Sequence, residues 1–176
     1  RIAEKLNLSY EVIDAIRLHS DIDFKEKHET LESKIVVYSD KFAYLNADMD
    51  DGIRMGLISE EDIPSDIREF MGDTAKKRLN FMICDIINNS FDKNDISMSE
   101  KVNENFKRLR RFMFEQLYFS PEMTEKDKAI ENMLVSIYEC EKKKNKSDEE
   151  ILDFMSGMSD SYARHYFNYI INGMSF

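Results

Sequence analysis

Carboxylate, ammonium and phenol side chains recur at helical spacing within residues 38–51. At about 100° per residue, Asp40, Tyr44 and Asp48 fall within one stripe roughly 80° wide. Lys41 lies beside this stripe. An unpaired carboxylate in an apolar interior is costly, so these groups must be paired, solvated or bound to a ligand. We expect the stripe to line a cleft, although the same residues could form the solvated face of an amphipathic helix.

The helix that carries the stripe has a defined start and is apolar elsewhere. Thr30 is a favourable N-cap, which predicts a helix over about 31–50. Five apolar residues lie on the side opposite the stripe: Ile35, Phe42, Leu45, Met49 and Ile53. A third side of the helix is also apolar and carries Val36 and Ala43. We therefore expect this helix to be buried.

The stripe is one of several separated motifs that follow one another along the chain. They are Thr30-Leu31-Glu32, Asp40-Lys41-x-x-Tyr44-x-x-x-Asp48, Asp51-Gly52-Ile53-Arg54-x-Gly56-Leu57, Asp85-Ile86-Ile87-x-x-Ser90, Leu109-Arg110-x-Phe112-Met113-Phe114-x-x-x-Tyr118 and Gly157-Met158-x-Asp160-x-Tyr162-Ala163. Together they resemble the deoxynucleoside triphosphate triphosphohydrolases, the dGTPase-like branch of the HD-domain hydrolases. The resemblance covers nearly the whole chain.

This resemblance implies a metal-dependent hydrolysis of a dNTP to deoxynucleoside and triphosphate. A histidine, a His-Asp pair and a later aspartate, which would be Asp40, would hold Mg²⁺, Mn²⁺ or Fe²⁺. Such a cation would polarise a phosphoryl oxygen and ready a water for attack. By the same resemblance Lys41 would contact the triphosphate, Tyr44 would pack against the deoxyribose, and Asp48 would accept a hydrogen bond from the 3′-hydroxyl.

The histidine half of that metal site does not occur in the sequence. His19, His28 and His165 are followed by Ser, Glu and Tyr, so there is no His-Asp pair. One aspartate does not hold a catalytic metal. We therefore expect these residues to be the C-terminal part of a longer enzyme, inactive alone and without tight metal binding.

A histidine and a basic cluster are further candidates for nucleotide contacts. His19, at the end of a capped helix, could face the cleft or could interact with the helix dipole. Arg108, Arg110 and Arg111 belong to one cluster, and guanidinium groups suit phosphate in an active site or an effector site. The alternative for this cluster is a solvated basic face.

Composition limits the partners. The 176 residues carry 25 basic and 35 acidic side chains, a net charge of -10, which argues against a dominant nucleic-acid surface. No apolar run approaches the roughly 20 residues that span a bilayer. We expect a cytoplasmic protein that acts on a deoxynucleoside triphosphate and, by resemblance, forms a homo-oligomer.

The pattern of caps and apolar spacing predicts an all-α fold, an HD-domain-like bundle in which 1–176 is a single unit. Ser9, Ser97, Thr124, Ser147 and Ser159 are the predicted helix starts, and Pro121 is predicted to end a helix. Two other functions stay open. One is an HD phosphohydrolase acting on nucleoside monophosphates, and the other is a non-catalytic helical module for oligomerisation or effector binding.

Overall fold

The computed structural model describes residues 5–21 and 23–172, and within them the fold is all-α, as predicted. The helices are α1 Tyr10–Leu18, α2 Leu31–Arg54, α3 Ser65–Met71, α4 Ala75–Ser90, α5 Glu100–Met113, α6 Pro121–Lys142, α7 Asp148–Ser156 and α8 Asp160–Asn172. A 3₁₀ turn, Glu60–Asp62, lies between α2 and α3, and a π-helical turn, Phe114–Tyr118, follows α5. None of these helices is long and apolar enough to cross a membrane.

The chain divides into two compact units, Arg1–Tyr118 and Phe119–Phe176. The first contains the candidate site residues of α1, α2 and α5, and the second contains α6, α7 and α8. The single unit predicted for residues 1–176 stays a prediction.

Helix α2 is the centre of the first unit. Its start matches the prediction, since the Thr30 hydroxyl accepts a hydrogen bond from the Ser33 amide at 3.1 Å. The helix continues to Arg54, beyond the predicted end. One side of α2 packs in the core with residues from α3, α4, α5 and the π-helical turn: Tyr38, Phe42, Leu45 and Met49, with Met71, Met82, Phe106, Leu109, Met113 and Leu117.

The apolar flank of α2 is less covered than predicted. Ile35 is 47% exposed and Val36 is 39% exposed. A groove of about 510 Å³ separates the N-terminal half of α2 from α4, with Ile35 on one wall and Ile87 on the other. A second groove, of about 490 Å³, lies between Val36 and Ile16 of α1. The prediction of a buried helix therefore holds for one face of α2 only.

Helix α1 begins after Ser9 as predicted, but most of its large apolar residues are not buried. Tyr10, Val12 and Ile16 are exposed. Asp14 and Leu18 are buried instead. The Asp14 carboxylate accepts hydrogen bonds from the Arg17 guanidinium at 3.3 Å and the Glu29 amide at 3.4 Å. These bonds offset the burial of its charge.

The start of α5 depends on Asp85 of α4. Its carboxylate accepts hydrogen bonds from the Ser99 amide at 2.8 Å and from the Ser99 hydroxyl at 2.6 Å. The predicted helix start at Ser97 is wrong, because the Ser97 amide donates to the Ser90 hydroxyl and the Ser97 oxygens accept from Asn89. Tertiary partners therefore replace the local cap.

Arg78 is a fully buried cation that joins four segments of the first unit. Its guanidinium donates to both carboxylate oxygens of Glu60, at 2.9 and 3.0 Å. It also donates to the Gly72 carbonyl at 3.2 Å and to the Met49 sulfur at 2.9 Å. Because a bidentate carboxylate neutralises the charge, the guanidinium can lie in the core.

In the second unit two of the predicted helix starts are confirmed and one is wrong. Ser147 caps α7 and forms a capping box with Glu150, and Ser159 caps α8. Pro121 does not end a helix but begins α6, where its missing amide hydrogen costs nothing. The cap is Ser120, whose hydroxyl accepts from the Met123 amide at 3.3 Å, and so Thr124 lies inside the helix.

A buried ionic cluster stabilises the second unit. Glu141 accepts hydrogen bonds from Lys144 at 2.6 Å, from Lys146 at 2.5 Å and from the Tyr166 hydroxyl. Burial alone would raise the pKa of Glu141, but the two ammonium groups and the phenol outweigh it and lower the pKa to about 2. Both carboxylate oxygens are occupied by these donors.

Candidate functional site

Three predicted site residues contact one another in the middle of α2. The Lys41 ammonium nitrogen lies 3.2 Å from a carboxylate oxygen of Asp40 and 5.0 Å from the centre of the Tyr44 ring. The Lys41 side chain is 13% exposed and that of Asp40 is 41% exposed. The stripe thus presents a sheltered cation beside an accessible carboxylate.

Asp48, one turn further along α2, is held by a residue 70 positions later. The Tyr118 hydroxyl donates to its Oδ2 at 2.5 Å. Burial raises the pKa of Tyr118, and the hydrogen bond and charge of Asp48 raise it further. The phenol therefore stays protonated and donates, which keeps Oδ2 occupied and leaves Oδ1 of Asp48 as the acceptor that a ligand hydroxyl could use.

Arg110 is the member of the basic cluster that lies near the stripe. Its charge acts on the phenol of Tyr118 and opposes the rise in that pKa. The guanidinium carbon is 6.0 Å from the Phe106 ring centre, and the Nε atom is buried without a hydrogen-bond partner. The positive charge of this guanidinium favours an anionic group nearby.

The other candidates lie elsewhere. Arg108 donates to Asp66 at 2.6 Å, an exposed ion pair that holds the pKa of Asp66 below its usual value. Arg111 is exposed. His19 follows α1, and its Nδ1 is 2.8 Å from the Ile16 carbonyl, the position expected for the helix-end interpretation. The roles assigned to all the site residues stay predictions.

The described residues do not fit the divalent cation that the resemblance implies. No three His, Cys, Asp or Glu side chains among residues 5–21 and 23–172 are grouped so that they could hold a metal ion. Asp40 has the Lys41 ammonium against its carboxylate, where a cation would otherwise bind. A complete metal site therefore needs ligands beyond those described.

Sequence reasoning missed Tyr118 as a site residue. The signal was present, because Tyr118 ends one of the motifs that carry the resemblance. Its distance in sequence from Asp48 hides the contact, and only the packing of the π-helical turn against α2 shows it.

The two grooves beside α2 are lined by its apolar flank, so neither is the cleft expected along Asp40, Tyr44 and Asp48.

No family model matches the chain, but several known proteins are similar to it. The chain is 33% identical to a deoxyguanosinetriphosphate triphosphohydrolase-like protein of Clostridium perfringens (strain SM101 / Type A), over 94% of the chain and 54% of the relative. Proteins of the same description from Caldanaerobacter subterraneus subsp. tengcongensis and Clostridium tetani are 36% and 35% identical, over 90% and 94% of the chain. The chain covers 50% and 54% of those two proteins, so it spans about half the length of the curated relatives it matches.

Proposed function

Because the chain belongs to the deoxyguanosinetriphosphate triphosphohydrolase-like family, we propose that it is part of a hydrolase that converts a dNTP, such as dGTP, to deoxynucleoside and triphosphate. In this proposal the chain supplies the contacts to the sugar and to the phosphates. The observation that carries it is the joined set of groups on α2, with the Asp40 and Lys41 pair beside Tyr44 and the Asp48 carboxylate fixed by Tyr118.

The sugar contact follows from the geometry of Asp48. Tyr118 donates to Oδ2, so the carboxylate is oriented before any ligand binds. Oδ1 can then accept a hydrogen bond from a 3′-hydroxyl, and a charge-assisted bond of this kind is worth roughly 1.5–3 kcal/mol. Tyr44, one turn before Asp48, offers a ring face on which the deoxyribose packs.

The phosphate contact follows from the two cations. Lys41 is sheltered and close to Asp40, and on binding its ammonium turns from this carboxylate to a phosphate oxygen. Arg110 adds a guanidinium whose Nε is unmet in the described structure. Chemistry at phosphorus is not assigned to these residues, because the described part of the chain does not complete a metal site.

The test uses a protein of the relatives' full length that contains these 176 residues. We expect it to release triphosphate and deoxyguanosine from dGTP, and Asp48→Asn to lower kcat/KM about 10- to 150-fold. Asp50→Asn is the matched control, because Asp50 is an exposed aspartate of the same helix. Equal rates for Asp48→Asn and Asp50→Asn, or no release of triphosphate by the full-length protein, would contradict the proposal.

A further inference from the structure

Gly52 marks a point where α2 and the π-helical turn approach unusually closely. A Cβ at this position would lie 3.0 Å from Cδ1 of Leu117 and 3.1 Å from Cγ1 of Ile58. Gly52 and Leu117 are both buried, so neither side of this contact can relax into solvent. The missing side chain of Gly52 is therefore what allows Leu117 to reach the backbone of α2.

The contact is adjacent to the site. Gly52 lies four residues after Asp48, on the same face of α2. Leu117 and Tyr118 are consecutive residues of the π-helical turn, so the first meets Gly52 while the second donates to Asp48. A π-helical turn is rare and frequently occurs at functional sites, because it changes the direction of the side chains that follow an α-helix. Two successive residues here contact two successive turns of α2.

We propose that Gly52 is a positioning residue for the sugar site: by admitting Leu117, it places the Tyr118 hydroxyl on Asp48 and so fixes the carboxylate that accepts the 3′-hydroxyl. The inference rests on the proposed function for the role of Asp48. The positioning itself does not depend on it, because the contacts among Gly52, Leu117, Tyr118 and Asp48 exist without a ligand.

A methyl group at Gly52 is the direct perturbation. In Gly52→Ala the new Cβ requires the Cδ1 methyl of Leu117 to move by a few tenths of an ångström. We expect this movement to shift the adjacent Tyr118 and to weaken its hydrogen bond to Asp48. The Tyr118 hydroxyl proton should then exchange faster with water, and its NMR resonance should move upfield. Gly157→Ala is the matched control, because a Cβ there meets nothing closer than 3.6 Å.

The measurement is the NMR resonance of the Tyr118 hydroxyl proton at neutral pH in the 176-residue chain, with Tyr118→Phe identifying it. An upfield shift and faster exchange in Gly52→Ala, with the other tyrosines unchanged and Gly157→Ala like the wild type, supports the proposal. The same resonance in Gly52→Ala and the wild type overturns it. If Gly52→Ala does not fold, Leu117→Val replaces it, since it shortens the contacting side chain without adding atoms to α2, and an unchanged resonance there is equally decisive against the proposal.

A second readout in the full-length protein separates this inference from the proposed function. A misplacement of about 1 Å can cost about 100-fold in rate, and for the smaller shift here we expect Gly52→Ala to reduce the preference for a deoxy over a 2′,3′-dideoxy substrate about tenfold. When Gly52→Ala is added to Tyr118→Phe, the substrate preference should change little further, because both substitutions act through the same hydrogen bond. If Asp48→Asn leaves hydrolysis unchanged while Gly52→Ala still shifts the Tyr118 hydroxyl resonance, the proposed function fails and the positioning stands.

Discussion

Glu141 and Asp48 each accept a hydrogen bond from a tyrosine hydroxyl, yet they differ in how many other donors bind them. In the second unit Glu141 is bound by Lys144, Lys146 and Tyr166, which occupy both of its oxygens. In the first unit Tyr118 binds one oxygen of Asp48, and among the described residues no other side chain donates to it. A saturated cluster can only stabilise the fold, whereas an oriented but unsaturated carboxylate can also bind a ligand.

The composition of the two clusters does not reveal this difference. Each contains an acid and a phenol joined by a hydrogen bond. What separates them is exposure and partner count, since Glu141 is 1% exposed while Asp48 stays partly accessible. The comparison predicts that changes at Glu141 act on stability and changes at Asp48 act on substrate.

The largest expected effect is on stability, in Glu141→Ala. Removing one partner of a buried ion pair costs about 3–5 kcal/mol, and because Lys144 and Lys146 are 49% and 37% exposed we expect the lower end, about 3 kcal/mol. Chemical denaturation of the 176-residue chain measures this change. Glu139→Ala, at an exposed position of the same helix, serves as the control and should change the free energy of unfolding by less than about 0.5 kcal/mol. Similar losses of unfolding free energy in the two variants would contradict the structural role assigned to the cluster.

Acid should act on the same cluster. The pKa of Glu141 is lowered to about 2 in the folded protein, below its ordinary value of about 4.3. Its contribution to stability is therefore present above the ordinary value and is lost as the pH falls from about 4.3 through 2. Thermal unfolding between pH 6 and about pH 2 should show a steeper loss of Tm for the wild type than for Glu141→Gln. Parallel pH profiles would count against this assignment.

The unsaturated carboxylate gives the next prediction, which concerns the sugar in the full-length protein. A 2′,3′-dideoxy substrate should be poor for the wild type, and Asp48→Asn should add little further loss on that substrate, because the shared contact is already absent. On the deoxy substrate Asp48→Asn should cost about 10- to 150-fold in kcat/KM. Equal factors on the two substrates would show that Asp48 does not bind the 3′-hydroxyl.

The smallest expected effect separates two neighbouring arginines. Arg110→Met should raise the KM for a dNTP about tenfold, since its guanidinium lies by the site with an unmet Nε. Arg111→Met should leave KM within about twofold, because Arg111 is an exposed residue for which a solvated role is the default. A comparable loss in both variants would indicate a general effect of basic charge rather than a contact made by Arg110.

Local signals were sufficient for much of the fold. The N-caps at Ser9, Thr30 and Ser147 were predicted correctly, since a hydroxyl that bonds an amide three residues later depends only on the adjacent chain. The cap at Ser97 was predicted incorrectly because Asn89 and Ser90 of another helix bind the Ser97 groups, while Asp85 of that helix binds the Ser99 amide. The all-α class followed from spacing, and the details of capping followed from packing.

For the site, the sequence by itself determined that Asp40, Lys41, Tyr44 and Asp48 share one side of α2, because helical geometry fixes the spacing of neighbours. Only the tertiary structure decided that Tyr118 binds Asp48 and that Arg110, rather than Arg108 or Arg111, lies near them. Such contacts join residues far apart in the chain, and they depend on the exact direction in which the π-helical turn ends and on the absence of a side chain at Gly52. No local sequence pattern specifies the direction in which the turn ends, since this direction results from the packing of two helices against one another.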